Sequence, residues 1–297
     1  MPGKAIVAAS GGIDSTVAAV LVEEALGDRA RALFVDTGLL RAHEVDRVGE
    51  FFRASHVRFE VVDASDRFLS ALEGVVDPEE KRRRIGTAFI RLFEEEARRS
   101  GAESLVQGTI APDWIESGGQ LRDTIKTHHN VGGVPSDVTL RIVEPLRDLY
   151  KDEVRALAAH LGVPRPERQP FPGPGLAVRV GGVVTRERVA VARAANAIVE
   201  EEVEKAIEAK QIPRPWQYFA VLVPARTVGV TGDNRIYGEA VSVRVVESVD
   251  AMTATAMTLP ADLLRRIAER ITRAAPGQVT RVLYDITDKP PATIEWE

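Results

Sequence analysis

No cysteine occurs among the 297 residues, so the chain holds no disulfide, no thiolate metal site and no thiol nucleophile. No apolar run approaches the length of a membrane span, and a core-strand pattern begins almost at once after the first residue. Both features predict a cytoplasmic protein that does not engage a membrane. Surplus positive charge is missing too. The formal charge is -5, with 39 Lys and Arg against 44 Asp and Glu, which speaks against a surface that coats nucleic acid. Nearly all of the positive charge is arginine, a bias that suits bidentate phosphate contacts and equally a biased genome. What remains, 44% hydrophobic and 28% charged, is the composition of a globular chain long enough for two domains.

Ser10, Gly11, Gly12, Ile13, Asp14, Ser15 and Thr16 stand between the apolar run at 5–9 and a helix-patterned stretch at 17–26. A strand that ends in a glycine loop and restarts as a helix is a phosphate seat. The glycines let the backbone approach an anion, the positive end of the helix faces it, and the hydroxyls of Ser10, Ser15 and Thr16 add donors. No lysine follows in the Walker position, and the adjacent glycines do not fit Gly-x-Gly-x-x-Gly. The plainer alternative is a strand-helix connection with capping residues. Asp14 would repel a polyphosphate unless offset. Either it caps loop or helix amides, or it faces a Mg2+ that the phosphates share.

Beyond this unit, strand, turn and helix alternate. Apolar runs at 30–35, 57–62, 104–107 and 138–143 read as strands buried on both faces, with helices at 43–54, 66–73, 78–99 and 151–161. With the first run they predict an α/β fold, a doubly wound parallel sheet of five strands. In such sheets ligands collect at the carboxyl ends of strands, near the point where strand order reverses. That rule selects the loop at 10–16, then Val35 with Asp36, Thr37 and Gly38, and Gln107 with Gly108 and Thr109. Ordinary turn chemistry is the alternative for the last two. From 111 to 135 no period appears. Glycine pairs at 118–119 and 132–133 flank Lys126, Thr127, His128, His129 and Asn130, the pattern of a lid that closes over a charged substrate. Adjacent histidines share neither a strand face nor a helix face, so a zinc site is a poor reading.

Prolines 164, 166, 170, 172 and 174 crowd one stretch and mark a domain boundary, giving domains at 1–175 and 176–297. The second reads as a smaller α+β unit with strands at 178–180, 218–223, 239–246 and 279–286 and helices at 186–210 and 261–273. The alternation of Val241, Val243 and Val245 suits an antiparallel sheet with one covered face, whose other face is a natural dimer contact. Two clusters stand out in it. Asp233 and Arg235 lie in a glycine turn, suited to a hydroxyl and a phosphate, although a plain hairpin turn is the alternative. The final residues 289–297 set Lys289 beside two prolines and carry Ile294 and Glu295.

Assembled, these pieces resemble the ATP pyrophosphatase subunit of the GMP synthetases over essentially the whole chain. The resemblance rests on 10–16, 35–41, 107–110, 125–135, the Phe-Pro-Gly-Pro-Gly-Leu run at 171–176, 228–237 and 289–297. It implies an adenine nucleotide alpha hydrolase-like fold with a C-terminal dimerisation domain and activation of xanthosine 5'-monophosphate (XMP) by ATP and Mg2+. An adenylyl-XMP intermediate then reacts with ammonia to give GMP. The resemblance further implies that Ser10 to Thr16, Val35, Gln107 and Gly108 bind ATP, and that Asp14 faces the metal. Lys126 would stabilise the transferring phosphoryl group, with Asp14, His128 and His129 beside it; Lys151 and Asp152 are weaker candidates. Arg41, Gln217, Asp233, Arg235, Lys289, Ile294 and Glu295 would bind XMP. Fused members of the family begin with a glutaminase domain whose nucleophile is a cysteine. This chain has none, so ammonia is expected to come from a separate glutamine amidotransferase subunit or from solution. Rival readings are NAD synthetase, which shares the loop but is not expected to share the terminus, a thiouridine-forming enzyme, and a nucleotide-binding regulator without catalysis.

Overall fold

The computed structural model describes residues 3–112, 140–164 and 169–297, which divide into two compact units. The first comprises residues 1–38, 43–67 and 86–167; the second comprises 39–42, 68–85 and 168–297.

The first unit is built on five parallel strands in the order β3-β2-β1-β4-β5: β1 Lys4–Ala9, β2 Ala30–Asp36, β3 Phe59–Asp63, β4 Ala102–Val106 and β5 Arg141–Val143. Ile6, Leu33 and Val106 are fully enclosed, as expected of central parallel strands flanked by crossover helices. The helices of this half of the chain are α1 Ile13–Leu26, α2 Glu44–Ala54, α3 Ser65–Ala71, α4 Pro78–Ser100 and α5 Lys151–His160, with residues 68–71 of α3 and 78–85 of α4 counted in the second unit. Val17, Val48, Phe52, Ala97 and Val154 are among the apolar positions they bury. β3 is one of the two edges, and its exposed Glu60 pairs with Arg31 and Arg99, so charge protects the unpaired strand side. The order reverses between β1 and β4. The five-stranded, doubly wound expectation is met, with β3 starting two residues later than the apolar run suggested. The first residues of the run at 138–143 lie outside the described residues.

In the second unit β6 Gln217–Thr231 and β7 Asn234–Glu247 form a long antiparallel hairpin. β8 Thr255–Ala256 pairs with β7, and β9 Val279–Tyr284 runs parallel to it, so the sheet is mixed rather than purely antiparallel. A parallel partner becomes possible because α7 Ala261–Ala274 carries the chain back across the sheet before β9 begins. α6 Arg186–Glu208 buries Val189, Ala192, Val199, Val203 and Ala206, and α7 buries Leu263, Ile267 and Ile271, each one stripe at helical spacing. The strand expected at 178–180 is instead a 3-10 helix, Gly175–Arg179, with only Val180 bridging to Leu222. Its cause is local. Gly175 has φ +65°, and Leu176 N donates to Leu39 O at 2.7 Å, which tightens the chain instead of extending it.

A Cβ on Gly175 would collide with Leu39 O, in a backbone conformation that L side chains rarely adopt. Gly175→Ala is therefore expected to destabilise the fold by roughly 2 kcal/mol or more. Chemical denaturation measures this, and a midpoint equal to that of the parent would refute it.

Candidate active site

The loop after β1 turns at Gly11, where φ is +78° and a Cβ would collide with Val48. Gly12 then occupies the N-cap position of α1 with no side chain to accept from the helix amides. The first intrahelical bond runs from Thr16 N to Gly12 O, 3.1 Å, so the N–H groups of Ile13, Asp14 and Ser15 are the orphan donors of this helix start. Three hydroxyls hold the loop in shape. Ser15 Oγ accepts from Ser10 N and Ser10 Oγ at 3.1 and 3.0 Å and donates to Gly12 O, as does Thr16 Oγ1. The serines and Thr16 thus brace the turn, while the backbone amides and the positive helix end make the anion seat.

Gly108 follows β4 and lies against this seat. A Cβ there would be 2.7 Å from Ser15 N and 2.9 Å from the Asp14 carbonyl carbon. Only a glycine admits so close a backbone approach. Gln107 N donates to Val143 O at 3.0 Å, which fixes the start of that turn. On the other side of β1, Val35 is buried near the end of β2, and Asp36 Oδ1 accepts from Gly38 N at 2.8 Å in a tight turn. The ends of β1, β2 and β4 therefore gather the residues selected from the sequence for ATP. Lys126, His128 and His129 lie outside the described residues.

Asp14 caps nothing. Its Oδ2 accepts from Lys151 Nζ at 2.6 Å, and its Oδ1 is buried with no hydrogen-bond partner. An orphaned carboxylate oxygen beside an anion seat fits a hard divalent cation, which prefers oxygen ligands. Among the described residues no group of three or more His, Asp or Glu could hold a metal alone. A metal there would need oxygens from the anion itself.

The second unit assembles another polar cluster. Glu295 accepts from Arg179 Nε at 3.1 Å, from an Arg179 terminal nitrogen at 2.8 Å and from Gln217 Nε2 at 2.8 Å. Arg179 is fully buried and gives its remaining nitrogen to Asn196 Oδ1 at 2.9 Å. Asn196 itself ties α6 to β6 through Ala220. The Phe171 ring lies 5.1 Å from the Arg179 guanidinium carbon and 4.6 Å from that of Arg41, and Arg41 is 3.4 Å from Glu200. Lys289 Nζ donates to Ala251 O at 2.8 Å, and Lys289 bridges by its backbone to Ala254, which packs with Ile294. Arg244, also fully buried, donates to Asp285 Oδ2 and to the carbonyls of Thr287, Thr293 and Ile294 at 2.8 to 2.9 Å. One guanidinium thus closes the segment that bears Lys289 and Glu295. Burial would raise the Asp285 carboxyl, but the Thr287 bonds, Arg244 and Trp296 outweigh it and hold it below the ordinary range.

Arg41, Gln217, Lys289, Ile294 and Glu295 are thereby brought to one end of the second sheet. Asp233 and Arg235 are not. They sit at the exposed tip of the β6–β7 hairpin, where Thr231 pairs with Asn234, whereas Gln217 pairs with Val246 at the other end. Strand rise of about 3.3 Å per residue over this 15-residue strand separates tip and base by on the order of 40 Å. Arg179, Asn196 and Arg244 carry no motif. Arg179 falls in the stretch read as a strand, and Arg244 falls on the side of the valine alternation read as solvent-facing.

Residues 201–296 match the family described as GMP synthase C terminal domain. The chain is 60% identical to a subunit of the glutamine-hydrolyzing GMP synthase of Pyrococcus horikoshii, over 99% of this chain and 93% of that protein. The subunits of the same name from Thermoplasma acidophilum and Methanocaldococcus jannaschii are 57% and 58% identical, over 99% of this chain and 94% and 93% of theirs.

Two substitutions test the geometry. Gly108→Ala is expected to weaken nucleotide binding at the α1 seat by at least about tenfold with little loss of secondary structure, since the added methyl meets backbone and not a movable side chain. Equilibrium titration with an ATP analogue checks it. Arg179→Met leaves the half-buried Glu295 carboxylate without its guanidinium partner and Asn196 without one of its donors, and is expected to cost about 3 kcal/mol of stability, read from denaturant midpoints.

Proposed function

Because the chain belongs to the family of glutamine-hydrolyzing GMP synthase subunits, we propose that it carries out the synthetase half of GMP formation, the ATP-dependent amination of XMP. It is a ligase. The reaction has two steps. O2 of the xanthine lactam, losing its proton to solvent, bonds to the α-phosphorus of ATP, and the bond to the β-phosphate oxygen breaks with departure of pyrophosphate. Ammonia then adds at C2 of the adenylyl-XMP intermediate and AMP leaves, giving GMP after loss of a proton.

The observation that carries this reading is the uncapped start of α1 pressed against Gly108. Its amides are fixed donors that need no rearrangement as charge builds on the departing pyrophosphate, and one such donor contributes on the order of a hundredfold in rate. Ser10 to Thr16, Val35, Gln107 and Gly108 would bind ATP. When bound at Asp14, Mg2+ supplies further neutralisation of the polyphosphate. Lys126 would serve the transferring phosphoryl group, with His128 and His129 enclosing the intermediate.

XMP is assigned to residues of 176–297, the dimerisation and XMP-binding domain of the proposed division, together with Arg41; residues 1–175 are the ATP pyrophosphatase domain. Glu295, with Arg179 and Gln217 on its oxygens, is a fixed acceptor for sugar hydroxyls or base N–H groups. Lys289 and Arg235 suit the monophosphate. The separation of Arg235 from Glu295 along the hairpin favours a homodimer, in which a second copy supplies the tip. Exposed Val228, Val230 and Tyr237 on the outer hairpin support that association. With no cysteine in this chain, ammonia is expected from a separate glutamine amidotransferase subunit, in cytoplasmic surroundings.

The test is pyrophosphate release from ATP and Mg2+. Sustained release with GMP as product is expected with XMP plus ammonium, whereas XMP plus glutamine is expected to give no GMP. GMP made from glutamine by the pure chain would sink the two-subunit reading, and release dependent on deamido-NAD in place of XMP would sink the substrate.

A further inference from the structure

We propose that Lys81 is a positioning residue for substrate, one buried ammonium that fixes both partners of the Arg179–Glu295 pair and so sets the direction in which Glu295 meets XMP. The inference rests on the reading of Glu295 as an XMP ligand given above.

Lys81 stands in the first turn of α4, in the stretch of that helix that belongs to the second unit, and it is wholly enclosed. An ammonium has three protons, and each finds an acceptor here: Val180 O at 2.8 Å, Ala177 O at 3.3 Å and Glu297 Oε2. These acceptors come from two segments of the chain. Ala177 and Val180 flank Arg179 at the end of the 3-10 helix, and Glu297 lies two residues beyond Glu295. One nitrogen therefore ties down the backbone behind the arginine and the tail behind the carboxylate.

The rest of the frame shows what this adds. The Arg179 guanidinium carbon lies 4.3 Å from the Phe219 ring centroid and 5.1 Å from that of Phe171, and one nitrogen donates to Asn196, so the plane of the guanidinium is set. Arg244 holds the carbonyls of Thr293 and Ile294 ahead of Glu295. Past Ile294 the tail is fastened by Trp296 Nε1 on Asp285, by Arg82 on Glu297 O and by Lys81 on the Glu297 carboxylate. Among the described residues only Lys81 of these three also holds the arginine side of the pair. Stability is a weak account of such a lysine, because desolvating an ammonium offsets much of its attraction to a carboxylate, and an apolar side chain of like volume often serves a core as well. An apolar side chain cannot fix two carbonyls and a carboxylate at set distances. A displaced Glu295 loses its contact with substrate in the ground state and the transition state alike, a loss that raises KM and leaves kcat.

The experiment joins amide hydrogen exchange of the full chain without substrate to kinetics with ATP, Mg2+, XMP and ammonium. In Lys81→Met the amides of 293–297 are expected to exchange about tenfold faster or more, with those of α6 and the inner half of β6 as slow as in the parent. The KM for XMP is expected to rise about tenfold, while kcat at saturating XMP and the KM for ATP stay within about threefold. Glu297→Ala leaves Lys81 its two carbonyls and loosens the tail alone. It is expected to move both readouts the same way, and it decides the matter where Lys81→Met folds poorly. Parent-like exchange of the tail or a parent-like KM for XMP overturns the proposal, and so does exchange that quickens evenly across the second unit, the mark of a purely structural role. If the parent itself does not turn over XMP, the substrate reading fails and takes this assignment with it; if it does and the variants match it, this proposal alone fails.

Discussion

Everything in the first unit's site depends on the parallel pairing of β1 with β2 on one side and β4 on the other. Parallel neighbours end at the same edge of the sheet, so the turns that follow them are forced into one row. With chain reversal between β1 and β4, two crossover helices leave in opposite directions and a crevice opens between their starts. Gly108 then decides how near the β4 turn comes to α1. Any side chain there would push the turn off the Ser15 amide and widen the seat. The serine and threonine hydroxyls are occupied in bracing the loop, a division of labour that leaves the amides for an anion.

The second unit solves a different problem, that of fixing a tail with little regular structure. Residues 285–297 contribute no strand or helix, yet Ile294 is buried and Glu295 has three donors. Two fully buried arginines hold them. A buried guanidinium is destabilising unless its donors are used, and Arg179 directs its own to Glu295 and Asn196, Arg244 to Asp285 and three carbonyls. Lys81 adds a third anchor. It is wholly enclosed, donates to Ala177 O and Val180 O, and pairs with Glu297, while Arg82 reaches the Glu297 carbonyl. Burial pulls its ammonium below the ordinary lysine range, with the Glu297 carboxylate opposing that pull. Removing one partner from such a contact leaves the other buried and unpaired, so the tail is positioned cooperatively.

The sheet of the first unit was legible because its central strands β1, β2 and β4 are mostly apolar on both faces and its turns use glycine where the backbone demands it. Gly11 and Gly38, both at positive φ, are places where chemistry and sequence point the same way. The second unit was less legible. Alternation around Val241, Val243 and Val245 assigns Arg244 and Ser242 to solvent, but both faces of β7 are covered there and both residues are buried. Period-2 patterning reports one apolar face and is silent about a polar face enclosed by a tail. The 3-10 helix at Gly175–Arg179 was missed for a related reason: its shape is set by the bond from Leu176 to Leu39, more than a hundred residues away. Arg179 is therefore invisible to local reading, although it orients the one carboxylate that the terminus made conspicuous.

The hairpin sharpens what the terminus can do. Its inner half, Gln217 to Leu222, is enclosed, whereas the outer half of β6 alternates toward solvent and ends in a turn with Asp233 and Arg235 exposed. A ribbon of two strands has no core of its own and is marginal in water, so the outer half needs something to lie on. Thr280 covers Gly229 and Gly238 on one side, which leaves Val228, Val230 and Tyr237 uncovered. A charged tip on an apolar arm is poorly suited to being a free surface and well suited to reaching into a neighbour. Within one chain the arm carries Arg235 away from Glu295; in the homodimer proposed above, with two chains related by a two-fold axis, the same length would bring them together.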